Sequence, residues 1–112
     1  MIAVCNEIYS FFTSNSVFST ALQTKLYPVV APEGTNFPFA TYQVDRVEAK
    51  SKDKDDHMVT LFLRFDKNKF TEMAQLMEDI LPVIKNKYDW EGSTFDFIED
   101  DMGYVGIINF LI

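Results

Sequence analysis

The chain predicts an α+β domain: a four-stranded, mainly antiparallel sheet with two helices packed on one face. Three observations lead there. Residues 59–65 alternate strictly, with Val59, Leu61, Leu63 and Phe65 set against Thr60, Phe62 and Arg64, the pattern of a strand with one buried face. Residues 68–86 carry apolar side chains at helical spacing. Two pairs of strand-like segments flank that helix, and two hairpins separated by a helix most simply close into one sheet.

The elements follow in order. In residues 2–12, Ile2, Cys5, Ile8 or Tyr9, and Phe12 share a helical face, with Asn6 and Glu7 off it. Asn15 and Ser16 end this helix or begin a short second turn through Leu22, which would bury Val17, Phe18, Ala21 and Leu22. Residues 25–38 read as an extended crossing. They hold Pro28, Pro32 and Pro38, three of the four prolines, and each pins φ and removes a donor. Glu33-Gly34-Thr35-Asn36 is a turn signal in the middle of it. Residues 39–48 are rich in β-branched and aromatic residues and read as the first strand, with Ala40, Tyr42 and Val44 on one face.

Residues 49–56, AKSKDKDD, form the most polar run and predict a solvated hairpin loop. Residues 57–66 are the clearest strand. Its second face carries Met58 and Phe62, which marks that face as a candidate for subunit contact. The main helix would place Phe70, Met73, Ala74, Met77, Ile80, Leu81 and Ile84 inward. Asp66 or Asn68 can cap its start, and Glu72 suits the positive end of its dipole. Pro82 predicts an end or a kink near Leu81. Residues 93–99 and 104–112 read as two strands joined by a turn containing Asp100, Asp101 and Gly103. The last strand is apolar on both sides, so it is either central in the sheet or covered by a neighbouring chain.

At 112 residues, with 47% hydrophobic side chains, the chain predicts a single domain over 1–112. Eleven phenylalanines, five tyrosines and one tryptophan raise the aromatic share to 15%, more ring surface than a small core needs. The net charge of −7 argues against binding to phosphate backbones or anionic membranes. One cysteine, Cys5, cannot form an internal disulfide and fits a reducing compartment. The first residues lack the basic segment of a signal peptide, and no apolar run is long enough to span a bilayer.

No cluster announces chemistry. His57 is the only histidine, and no nucleophile is placed beside it by sequence. Cys5 lies on an apolar helical face, where a free cysteine usually packs. Asp53, Asp55 and Asp56 lack the glycine and closing glutamate of a calcium loop. One Cys and one His cannot close a zinc site. Phosphate-binding glycine motifs are missing. The residues therefore predict no catalytic, metal or cofactor site.

One passage is more specific. Leu26-Tyr27-Pro28, then Val30-Ala31-Pro32-Glu33-Gly34, then Phe37-Pro38-Phe39-Ala40-Thr41-Tyr42-Gln43 resembles the signature of the tail-completion or tail-terminator (head–tail joining) family of long-tailed bacteriophages and prophages. The similarity runs from the first helix to the main helix. It implies a non-enzymatic virion protein, made in the bacterial host cytoplasm and resident in the tail or neck. Such proteins form a ring, commonly a hexamer, on the last ring of tail-tube subunits and present a surface to the head connector. A neighbouring neck or head-completion adaptor, or a small ligand- or peptide-binding module, are the alternatives. On the ring reading the expected interface residues are Glu33, Asn36 and Phe37 in the crossing and Phe62 on the outer sheet face. Lys50, Lys52, Asp53, Lys54, Asp55 and Asp56 complete the set, in a loop that would order against a neighbour. The acidic balance would suit a channel along which DNA slides without sticking.

Overall fold

The computed structural model describes residues 2–47, 56–98 and 103–112, without the side chains of Arg46, Val47 and Asp56. Eight elements follow one another: α1 (Ile2–Thr13), α2 (Ser16–Leu22), β1 (Leu26–Pro28), β2 (Phe39–Val47), β3 (Asp56–Asp66), α3 (Phe70–Lys87), β4 (Asp89–Ile98) and β5 (Gly103–Leu111). The loop expected between β2 and β3 and the turn between β4 and β5 lie outside the described residues.

The α+β class holds, with two corrections to the count. The sheet has five strands in the order β1-β2-β3-β5-β4, and it is mixed, because β1 runs parallel to β2. The other pairs are antiparallel. There are three helices among the described residues, since the second turn closes into α2. Its cap explains why: Asn15 has an extended backbone, and its side-chain oxygen accepts from the Val17 N–H at 2.9 Å.

β1 changes the character of the proline-marked passage. Leu26 is buried, the Lys25 carbonyl accepts from Ala40 N–H, and Val29 N–H donates to the Tyr42 carbonyl. Residues 25–29 therefore lie alongside β2, and the chain then loops back to enter β2 beside them. What the prolines suggested as one extended crossing is an edge strand followed by a returning strap. Three residues are too short to show a period of two, so β1 left no pattern to read.

The core lies between one sheet face and the helices. Ile8 and Phe12 of α1, Phe18 and Leu22 of α2, and Met73, Leu76, Ile80 and Ile84 of α3 are buried against Ala40, Tyr42, Val59, Leu61, Leu63, Phe65, Ile108 and Phe110. The inward faces of β2 and β3 are those expected. In α1 the choice falls on Ile8, while Tyr9 and Ile2 are exposed. Ala21 of α2 is exposed rather than buried. α3 buries Leu76 and half-buries Val83, neither of them anticipated, and leaves Phe70 exposed at its first turn.

α3 runs on through Pro82 to Lys87, so it does not end near Leu81. The ring sits at an exposed position, so the bond it cannot make is lost on the side open to water. Neither expected cap serves: Lys69 is the cap residue and makes no side-chain bond. Asp66 instead folds back, its carboxylate accepting from Lys67 N–H at 2.7 Å and its carbonyl from Lys69 N–H at 2.9 Å. Glu72 is in the first turn, and Lys85 and Lys87 are in the last, as the helix dipole favours.

β5 is central, between β3 and β4, which resolves the two readings of its doubly apolar sequence. Ile108 and Phe110 face the helices, and Val105 and Leu111 are buried on the opposite side. β4 begins at Asp89, four residues before the expected start. A register shift between Trp90 and Gly92 skips Glu91 and breaks the alternation there, which hid this part of the strand.

Candidate functional site

The sheet face opposite the helices is only partly roofed. Its open side carries Met58, Thr60, Phe62 and Arg64 from β3 beside Ile107 and Asn109 from β5. Phe62 is half-buried there, opposite Thr41 of β2 and Ile107 of β5. The Thr60 hydroxyl donates to the Asn109 side-chain oxygen at 2.9 Å, tying the two middle strands together across the face. The apolar outer side of β3 is thus half-covered by its own neighbours.

The strap closes one end of this face. Val29, Val30, Pro32 and Phe37 border a groove of about 350 Å³ whose floor includes Thr41 and Arg64. The turn inside the strap is self-supporting: both the N–H and the hydroxyl of Thr35 donate to the Pro32 carbonyl, at 3.1 and 2.6 Å. Gly34 takes a φ of +85°, which a side chain would disfavour. Lys25 donates its ammonium to the Asn36 carbonyl at 3.2 Å, pinning the strap to the residue before β1. Phe37 stacks on Phe39 with ring centres 5.5 Å apart, and Arg64 lies 5.9 Å over the Phe39 ring.

The expected interface residues are therefore distributed unevenly. Glu33 and Asn36 are exposed at the outside of the strap, and Phe37 is half-buried beneath it. Thr41, in the groove floor, is the register partner of Phe62, so the strap and Phe62 belong to one surface. Lys50, Lys52, Asp53, Lys54 and Asp55 lie outside the described residues, as does the Asp56 side chain.

A second surface was not anticipated. β4 is an edge strand, paired only with β5, and it is exposed along nearly its whole length. Trp90, Phe95 and Phe97 stand open on it. Phe95 meets Phe70 at 5.1 Å, Phe70 meets Tyr104 at 5.1 Å, and Phe97 meets Tyr104 at 5.1 Å, an aromatic cluster at the mouth of α3. At the other end of β4, the Lys85 ammonium lies 4.5 Å over the Trp90 ring, whose N–H donates to the Ser93 hydroxyl. The available signal was Phe95-Asp96-Phe97, two rings sharing a face with no lysine nearby on the strand.

Titratable groups with displaced pKa values belong to packing. Burial pushes the Tyr42 phenol up to about 12, and Cys5 of α1 adds in the same direction. Burial, with Glu7 beside it, also raises the Tyr88 phenol; its hydroxyl donates to the Glu7 carboxylate at 2.6 Å and joins the end of α3 to α1. A wide groove of about 640 Å³ between α2 and α3 is bordered by Thr20, Thr71, Glu72, Gln75 and Asp79. It offers hydroxyls and carboxylates without a thiol or an imidazole. No group of three or more His, Cys, Asp or Glu that could hold a metal ion occurs among the described residues. No helix among them is long and apolar enough to cross a membrane.

No protein-family model matches the chain, and no curated protein matches it. A solved structure does: one chain in the virion of a native gene transfer agent (GTA) particle. That chain and this one superpose with a TM-score of 0.69 over 93% of this chain and 88% of that one, at 11% sequence identity. At such identity the likeness is one of fold.

Proposed function

We propose that the protein is a structural component of a phage-like virion that caps the tail tube as a ring and helps join tail to head. The observation that carries this reading is the near full-length fold shared with a chain of a gene transfer agent virion. The resemblance of the passage from Leu26 to Gln43 to tail-terminator proteins supports it from a separate direction. So does the surface: two open sheet edges and a half-roofed face fit a protein that finishes its burial against neighbours. On this reading it acts by assembly rather than catalysis. Its partners are further copies of itself in a hexameric ring, the tail-tube protein and the head connector. Glu33, Asn36, Phe37 and Phe62, together with Lys50, Lys52, Asp53, Lys54, Asp55 and Asp56, are the contact residues it names.

The direct test mixes the purified protein with its cognate tail tubes and images them by electron microscopy. Rings on one end of each tube, and tubes that stop lengthening once capped, are expected. Rings found only on the head connector would instead favour a neck adaptor. Tubes that stay bare and keep growing would sink the capping role.

A further inference from the structure

The two edges of the sheet are unlike each other. The β1 edge is three residues long and ends in Pro28, which has no N–H to offer. The β4 edge is ten residues long, contains no proline, and has a row of backbone groups facing outward. Exposed large apolar side chains gather at both. Trp90, Phe95 and Phe97 are 38%, 54% and 38% exposed on β4, with Phe70 at 36% beside them. Val29 and Val30, 66% and 75% exposed, follow β1.

The exposed rings supply about two thirds of the apolar area that one side of an interface needs. At about 150–250 Å² per aromatic side chain, the four rings leave roughly 300 Å² open to water. One side of a standard interface buries about 800 Å², of which somewhat over half, about 450 Å², is apolar. The charges also differ in sign. β4 carries Asp89, Glu91 and Asp96 and no cation. The strap edge has Arg64 in the groove bordered by Val29 and Val30, and Lys25 just before β1, against the single carboxylate of Glu33. Pairing β4 with β4 of another copy would bring three carboxylates toward three.

We infer that the β4 edge of one copy docks against the strap edge of a second copy. Thr94 and Asp96 face the same side of the sheet as Ile107 and Val105, the side opposite the helices. The groove holding Arg64 opens on that side too. A sheet continued across the contact therefore sets β4 beside Val29 and Val30, with Asp96 on the side of the sheet where the Arg64 groove opens. The contact is heterologous, and such contacts close into rings when the rotation permits. This deepens the ring reading and rests on it for its occupant.

Cross-linking tests it with the full chain. In a Cys5→Ser background, a Thr94→Cys protein and a Val30→Cys protein are prepared, both substitutions lying at exposed sites. Each is treated with a short bismaleimide, alone and mixed. The mixed pair should yield cross-linked dimer at least ten-fold faster than either protein alone. Equal rates, or fastest coupling of Thr94→Cys with itself, overturn the inference. Should Val30→Cys lose the parent's circular dichroism spectrum, Pro32→Cys, exposed in the same groove, takes its place. The tube-capping experiment is read separately. Mixed coupling with bare tubes keeps this contact and removes the capping role, whereas capped tubes with no preference for mixed coupling do the reverse.

Discussion

Tyr42 shows how one side chain ties function-neutral chemistry to stability. It is 5% exposed on the inner face of β2, with Cys5 of α1 beside it. Its phenol titrates near 12 in the folded chain instead of the ordinary 10, because burial penalises the phenolate first and Cys5 second. A raised pKa means that the neutral form is favoured by folding. The stability it reflects is complete below pH 10 and is lost as the pH climbs from there through about 12. Tyr42→Phe should therefore flatten the fall in melting temperature over that window while leaving neutral-pH stability changed by about 1 kcal/mol or less. A Phe variant that loses stability between pH 10 and 12 as steeply as the parent would show that the phenol does not titrate there. None of this was legible beforehand: the alternation placed Tyr42 inward, but only packing brought Cys5 to it.

Two glycines of β5 separate strand propensity from strand packing. A Cβ at Gly103 would lie 2.6 Å from the Phe65 carbonyl oxygen and 3.0 Å from the Phe37 ring. One at Gly106 would lie 2.6 Å from the Met77 sulfur, where α3 crosses the strand. A backbone carbonyl held in a sheet cannot move aside, whereas a methionine side chain can turn away. Gly103→Ala should cost about 1–3 kcal/mol in denaturant unfolding, and Gly106→Ala clearly less. The reverse order would mean that the strand gives way more easily than the thioether. At this scale the sequence was readable where its period was long and clean. β3 and the inner face of β2 followed from alternation alone. β1 was too short for a pattern, the bulge at Glu91 disguised the start of β4, and the buried anchors Leu76 and Ile80 of α3 outweighed the rule that proline ends a helix.

For the whole molecule, the strap is where folding and assembly separate. Its turn bonds mainly to itself, through Thr35 and Pro32, with one tie from Lys25 to Asn36. Shortening a surface loop costs little and even recovers some closure entropy. Deleting Glu33 to Asn36 should thus lower the melting temperature by only a few degrees while abolishing association; equal loss of fold and association would count against the strap as a contact surface. What the sequence determined alone was the α+β class, the buried faces of β2 and β3, and the extent of the main helix to within a turn. These rest on local periodicity and on backbone restrictions that act within a few residues. The tertiary structure alone decided that β1 joins the sheet in parallel, that β5 lies inside it between β3 and β4, and that β4 is left as an aromatic, acidic edge. Strand order depends on which surfaces meet across the fold, and a period along the chain does not record its neighbours.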